Sequence, residues 1–376
     1  MCGGTGGHLS PGIALAERLT RRGHTCHLVV SRKEIDSRLS AKYAQLSFIA
    51  VPGAAFSLRP AGLLRFGWNF ARSFVRAGSL LAQHRPDATI VFGGFMSPPF
   101  VLWSRLRGVG VAIHEANRRP GRAVRFLSRL AHRVYLPPGV RLRGVRRSHV
   151  VPCGYPLRRE IRHLRKEEAR RRWGIENRHK TLVIVGGSQG AMALNDWVNT
   201  HYPKLASEGL NVIAVSGPGK GVASTLEVET AQGDTVKLWF LPFADDMSLL
   251  LSVADLVISR AGAGAIAELT ACLAPSILVP YPHAADQHQA ANADYFEKQG
   301  ACLVLPQEKM QERLTTEVRQ LIFNDNLLHR LRGNLRALDR GEAAARMADD
   351  LEKWIAGLRP AALAPAARPT KEEARS

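Results

Sequence analysis

The sequence predicts an α/β protein built from two doubly wound halves, each a parallel sheet covered by helices, facing each other across a central cleft. Three observations carry this. Apolar runs of strand length alternate with amphipathic runs of helical period, twice over. Glycine-rich turns follow several of the strands, at the strand ends where open α/β sheets bind ligands. The alternation breaks once, near 155–175, in a highly charged stretch, so the 376 residues divide into two units instead of one oversized core.

Taken in order, the opening "GGTGGHLSPGIALAERLTRRG" is a glycine-rich loop running into an amphipathic helix. Pro11 lies near the helix start, Ile13, Leu15, Ala16 and Leu19 are apolar, and Gly23 is a stop. Such a loop normally follows a buried strand. Here the first strand of the first unit is apparently missing, and Met1 reads as an internal methionine or a late assigned start. "HTCHLVVS" and "LSFIAVPG" then read as strands. Residues 61–83 read as a helix mixing Leu, Phe and Trp with Arg65, Arg72 and Arg76. "DATIVFGGF" is a strand entering a Gly-Gly turn, "GVAIHEANRRPG" a strand entering a polar loop, and "RVYLPPG" and "HVVPCGYPLR" continue the pattern to about 158. A charged helix is expected over 160–175. The second alternation runs from "KTLVIVGGSQGAMALNDWV" through "LNVIAVSGPG", "VKLWFLPFADDM", "ADLVISRAGAGAIAELTAC" and "APSILVPYPHAADQHQAANADYF" to "ACLVLP". The Ala/Pro-rich end has no periodic apolar face and is expected to be disordered. The expected units are therefore 1–156 and 157–356, with a tail over 357–376.

Composition narrows the function. A content of 45% hydrophobic and 22% charged residues is that of a soluble globular chain. Cys2, Cys26, Cys153, Cys272 and Cys302 are odd in number and never in a CxxC pair, which favours a reducing, cytoplasmic setting over a disulfide framework or a zinc site. No signal peptide and no membrane-spanning apolar run is evident. The charge is lopsided: residues 1–160 carry 26 Lys and Arg against 6 Asp and Glu, whereas 161–376 carry 26 of each. A basic first half suits nucleic acid or an anionic membrane surface. No recognisable nucleic-acid-binding motif accompanies it, and nucleic acid would leave the polar residues of the second half unexplained, so no nucleic-acid partner is expected.

Several motifs carry chemistry. In "GGSQGA", Gly186 and Gly187 follow a strand, and Ser188 and Gln189 lie where a helix starts, a natural seat for a diphosphate. The same residues also fit a plain strand-to-helix turn with Ser188 as its cap. "SRAGAGAIAEL" has the same construction, with Glu268 placed where an acidic side chain can meet ribose hydroxyls. "PYPHAADQHQAANA" groups Asp286, His288, Gln289 and Asn292, amide and imidazole groups suited to a sugar, without metal-ligand spacing. In the first half, His8 directly follows the glycines and is a candidate general base. His114, Glu115 and Asn117 end a strand on the same cleft.

"GGTGGHLSPGIALA", "FGGF", "HEANRRPG", "GGSQGA", "SRAGAGAIAEL" and "DQHQAANA" stand in the order and approximate spacing of the MurG family, and the chain resembles that family over roughly residues 3–355. Its members transfer N-acetylglucosamine (GlcNAc) from UDP-GlcNAc to the lipid-linked muramyl-pentapeptide lipid I, giving lipid II of peptidoglycan. The resemblance implies a GT-B fold, with an acceptor-binding, membrane-facing first domain and a second domain holding UDP-GlcNAc. It implies catalytic roles for His8, Asn117 and Glu115. Donor contacts are implied for Thr5, Gly6, Gly7, His8, Asn117, Arg158, Ser188, Gln189, Phe243, Ala244, Glu268, His288 and Gln289. Ser188 and Arg158 would hold the diphosphate, Glu268 the ribose, Phe243 and Ala244 the uracil, and His288 and Gln289 the GlcNAc hydroxyls. No cofactor is implied. No DxD motif is present, the adjacent carboxylates of "ADD" at 244–246 standing in its place, so the sequence does not require a metal. The implied partners are UDP-GlcNAc, lipid I and the anionic cytoplasmic membrane surface, with proteins of cell-wall synthesis as candidates, and the implied location is peripheral, on the cytoplasmic face of the membrane. Ala116, Phe95 and Tyr155 stand where the family commonly has glutamine, tyrosine and asparagine, on the acceptor side or at the hinge. The competing enzyme reading is another UDP-sugar transferase of the same fold with a lipid or small-molecule acceptor, against which the pairing of "GGTGGH" with "HEANRRPG" argues.

Overall fold

The computed structural model describes residues 1–2, 6–31, 42–51, 60–94, 96–176, 178–187, 191–339 and 341–358. In the first domain, Met1 and Cys2 precede helix α1 (Gly6–Arg21). Strands β1 (His27–Ser31) and β2 (Ser47–Val51) pair in parallel. Helix α2 (Pro60–His84) leads to β3 (Ala88–Val91), α3 (Ser97–Leu106), β4 (Gly110–His114), α4 (Arg122–Leu127), β5 (Arg133–Leu136) and β6 (Val150–Pro152). These last four strands form a parallel sheet in the order β3-β4-β5-β6. Met1 and Cys2 lie between the two sheets: the Cys2 N–H donates to Val29 O (2.9 Å) and the Phe92 N–H to Met1 O (3.1 Å). At the place where the sequence analysis looks for a strand, two residues therefore link β1 to β3.

All five residues of β4 are buried, as expected of a central parallel strand covered on both faces. The pleat sends Val111 and Ile113 to a core beneath α2 and α3, and Ala112 to a core with Ile13, Leu15 and Ala16 of α1.

The second domain is a seven-stranded sheet in the order β13-β12-β11-β7-β8-β10-β9. Its elements are α5 (Lys166–Trp173), β7 (Lys180–Val185), α6 (Met192–Ser207), β8 (Leu210–Val215), β9 (Ser224–Glu229), β10 (Thr235–Leu241), α7 (Met247–Val253), β11 (Leu256–Ser259), α8 (Ala263–Ala271), β12 (Ser276–Leu278), α9 (His288–Lys298), β13 (Leu303–Val304), α10 (Met310–Ile322) and α11 (Asp325–Leu338). All neighbours are parallel except β9, which pairs antiparallel with β10 at the edge. The sequence marks β9 only weakly, because its alternation is short (Leu226, Glu227, Val228, Glu229) and most of its residues are exposed.

Two expectations change. The charged helix foreseen over 160–175 forms only as α5, because residues before it give their N–H groups to α7: Arg162 N to Ser248 Oγ and Leu164 N to Ser252 Oγ, both 2.9 Å. Helix α12 (Ala343–Leu358), grouped with the second unit in the sequence, packs on the first. Its Met347, Ala348 and Leu351 are fully buried in one core with Ile13, Leu15 and Ala16. Arg22 pairs with Asp349 and Glu352 (both 2.7 Å), and the Tyr135 hydroxyl donates to Asp350 (2.7 Å). The tail beyond residue 358 lies outside the described residues. Among the described residues no helix is long and apolar enough to cross a membrane.

Candidate active site

Strand order locates the ligand crevice of the second domain. From β7 the chain steps outward through β8 on one side and through β11 and β12 on the other, so the topological switch point lies between β7 and β11. The loops leaving these two strands are "GGSQGA" and "SRAGAGAIAEL". Gly187 has φ of +82°, the left-handed turn that leads toward α6, and among the described residues no side chain caps either α6 or α8. Unpartnered N–H groups at such helix starts attract an anion. Ser188 and Gln189, like Thr5 in the first domain, lie outside the described residues.

Across the cleft, Gly6 and Gly7 open α1, and His8 lies in its first turn. A Cβ added to Gly93 would sit 3.0 Å from His8 Nε2, and Gly93 has φ of +105°, so only glycine fits under the imidazole. Burial, then the nearness of His288 from the second domain, hold His8 down to about 4. The imidazole is therefore neutral at pH 7 and able to accept a proton. His114 is buried beside it, with its Nε2 3.2 Å from Gly154 O, and burial lowers it to about 4 as well.

The "HEANRRPG" loop is shaped from within. One oxygen of buried Glu115 accepts from the N–H and the side-chain amide of Asn117, and the other from Gly121 N–H, all at 2.9 Å. Both oxygens are thus taken by the loop's own donors. The loop is also tied to α9: Asn292 Nδ2 donates to Asn117 Oδ1 (3.1 Å) and Ala261 O (3.2 Å), while Asn292 Oδ1 accepts from Arg118 N–H (2.8 Å). The Arg118 guanidinium lies 3.7 Å from the centre of the Tyr295 ring, a cation–π contact. Arg122 and Arg125 reach Asp286 at 3.2 and 3.4 Å. The sequence grouped Asp286 and Asn292 with the sugar-binding residues; the structure gives both to the joint between the domains.

At the hinge, Arg158 sits among Tyr43 Oη (3.2 Å), Glu160 (3.3 Å) and Glu268 (3.8 Å). Burial pushes the Glu268 carboxyl up to about 7; Arg158 opposes this and Glu160 adds to it. The arginine expected at the diphosphate and the carboxylate expected at the ribose are therefore neighbours. Tyr43 had no local signal, since only the tertiary fold brings the first domain's residue 43 to the second domain's arginine. A cavity of about 600 Å³ opens behind this network, lined in part by Arg18, Arg21, Arg158 and Arg346. Phe243, His288 and Gln289 do not line it. Phe243 is exposed just beyond β10, with Ala244 next to it. His288 Nδ1 is 2.6 Å from Ala285 O, and Gln289 Oε1 accepts from Tyr281 N–H (2.9 Å). Among the described residues no group of His, Cys, Asp and Glu is placed to hold a metal ion.

The chain is similar to known proteins in sequence and in fold. The glycosyltransferase family 28 N-terminal domain matches residues 1–136 and the glycosyltransferase family 28 C-terminal domain residues 181–345. The UDP-N-acetylglucosamine–N-acetylmuramyl-(pentapeptide) pyrophosphoryl-undecaprenol N-acetylglucosamine transferase of Opitutus terrae is 52% identical, covering 94% of this chain and 93% of its own. The transferase of the same name from Prochlorococcus marinus is 36% identical over 86% and 87%. The crystal structure of Acinetobacter baumannii MurG superposes with a TM-score of 0.70 at 25% identity, covering 93% and 97%. The glycosyltransferase of kitacinnamycin, at 15% identity and a TM-score of 0.69, shares the fold alone. The chain therefore belongs to glycosyltransferase family 28 and, within it, to the MurG transferases, with their two-domain GT-B fold.

Proposed function

We infer that this chain is an inverting glycosyltransferase that moves GlcNAc from UDP-GlcNAc to the 4-hydroxyl of MurNAc in lipid I, forming lipid II. The observation that carries the reading is the 52% identity, over 94% of the chain, to a transferase of that name, in a structure that sets His8 in the first turn of α1. The acceptor oxygen attacks the anomeric carbon from the face opposite UDP, and the glycosidic C–O bond breaks with its electron pair leaving on the diphosphate. A hydroxyl is a weak nucleophile, so the neutral imidazole of His8 takes its proton.

The start of α6, with Ser188 and Gln189, receives the departing diphosphate, and Arg158 adds its charge where charge develops. Glu268 accepts the ribose hydroxyls, the backbone at Phe243 and Ala244 meets uracil, and His288 and Gln289 hold GlcNAc. Thr5, Gly6 and Gly7 bring α1 up to the donor. Asn117 faces the reacting centre, and Glu115, with both oxygens occupied, acts as the residue that positions it. On this reading residues 1–156 with α12 form the acceptor domain and 157–342 the donor domain.

Membrane contact belongs to the same proposal. On α2, Trp68 and Val75 are 67% and 71% exposed, and Arg72 and Arg76 lie exposed on the same helical face. A basic-aromatic face of this kind suits the anionic cytoplasmic leaflet, about 1 kcal/mol per basic residue. Vesicle binding that is unchanged by Arg65→Glu with Arg72→Glu refutes this contact. The deciding experiment for the activity is transfer of labelled GlcNAc from UDP-GlcNAc to a soluble lipid I analogue. Product supports the reading; no product with donor binding intact points to another acceptor, and loss of donor binding removes the reading.

A further inference from the structure

Helix α1 has a proline at its sixth residue, Pro11. In an α-helix the N–H of residue 11 would bond the carbonyl of residue 7, and proline has no N–H to give. The Gly7 carbonyl, directly before His8, is thus left without its helical donor. A side chain from the hinge supplies one: the Tyr155 hydroxyl donates to Gly7 O at 3.1 Å. Tyr155 is held in place from two other sides. Its ring meets that of buried His114 edge-on at 6.4 Å. Its hydroxyl also rests against Gly264 of α8, where an added Cβ would lie 2.9 Å from Oη. Burial and the Glu268 carboxylate push this phenol upward, so it stays protonated and a donor at any working pH.

We propose that Tyr155 is a positioning residue for the transfer step: its hydroxyl replaces the donor that Pro11 lacks and fixes the turn of α1 that carries His8. The contact with α8 makes that turn answer to the placement of the donor domain, so His8 is set for proton transfer only when the domains are in register. The proposal rests on the reading of His8 as the base.

The test is steady-state transfer by the full chain with UDP-GlcNAc and a soluble lipid I analogue, beside calorimetric titration with UDP-GlcNAc. Tyr155→Phe removes the donor and keeps the ring, and kcat falls about tenfold with the UDP-GlcNAc Kd unchanged. Adding Pro11→Ala returns a backbone N–H to Gly7 and restores kcat to within about twofold. Gly264→Ala, which displaces the hydroxyl, reproduces the kcat defect. An unchanged kcat in Tyr155→Phe overturns the proposal, and so does a fall that Pro11→Ala does not repair while Gly264→Ala is silent. The His8 reading is judged separately. His8→Ala with near-full turnover removes the base and the proposal with it. His8→Ala that is inactive beside a fully active Tyr155→Phe removes the proposal alone.

Discussion

Glu268 makes donor binding depend on pH in a direction that its surroundings fix. Its carboxyl is held at about 7 by burial on α8. The charged and titratable groups facing it are Arg158, Glu160 and Tyr155 from the hinge and Cys272, just past the end of its own helix. An ionised carboxylate can accept both ribose hydroxyls, whereas a protonated one has given up acceptor capacity. With a pKa of about 7, roughly ten in eleven molecules are ionised at pH 8 and one in eleven at pH 6. If the ionised form is the binding form, the UDP-GlcNAc Kd rises about tenfold over that interval, or about 1.4 kcal/mol. The diphosphate of UDP-GlcNAc is a diester and stays fully charged throughout, and His8, held at about 4, does not titrate in this window. Calorimetric titration at pH 6, 7 and 8 measures the slope, and Glu268→Gln, which cannot titrate, must flatten it. A Kd that is constant from pH 6 to 8, or a slope that survives in Glu268→Gln, refutes the reasoning.

Three further outcomes are expected. Gly93→Ala combines a φ of +105° with a methyl 3.0 Å from His8 Nε2; kcat should fall roughly 10- to 100-fold with donor affinity retained, measured by the same transfer and titration assays. His114, 1% exposed and lowered to about 4, must be neutral in the fold, so the unfolded chain binds its proton first. Stability from this group is complete above pH 6.5 and is lost at about 1.4 kcal/mol per unit as pH falls toward 4, and urea unfolding of His114→Gln should show a shallower acid slope. Leu351→Ala empties a fully buried position between α12 and α1 and should cost about 2–5 kcal/mol of unfolding free energy, read from denaturant midpoints.

The parts of the molecule that were legible in the sequence are those whose signal is local. Strand-length runs such as "TLVIVG" and the glycine turns behind them gave the parallel sheets and the loops at the switch point. The motifs that hold His8 and Glu268 are local too, each a glycine turn running into a helix, with His8 in the first turn and Glu268 in the second. Contacts made between residues far apart in sequence left no such trace. Tyr43 on Arg158, Asn292 on Asn117 and Asp286 on Arg122 and Arg125 join the two domains across more than a hundred residues each. The helix foreseen over 160–175 lacks its first turns for the same reason, since Ser248 and Ser252 accept from the N–H groups of Arg162 and Leu164. One signal was present and unread: Pro11, four residues after Gly7, announces a carbonyl in want of a donor.

The return of α12 to the first domain has a consequence for how the chain is made. Its Met347, Ala348 and Leu351 complete a core whose members from α1, among them Ile13, Leu15 and Ala16, are synthesised far earlier. Between β6 and α12 lie roughly 190 residues, which at about 5–20 residues per second take about 10–40 s to translate. Throughout that interval the first domain has its sheet but lacks the covering for one apolar face, and by its end the second domain has every element of its own. The later half can therefore fold before the earlier one, and a helix made after the whole second domain is the one that closes the first.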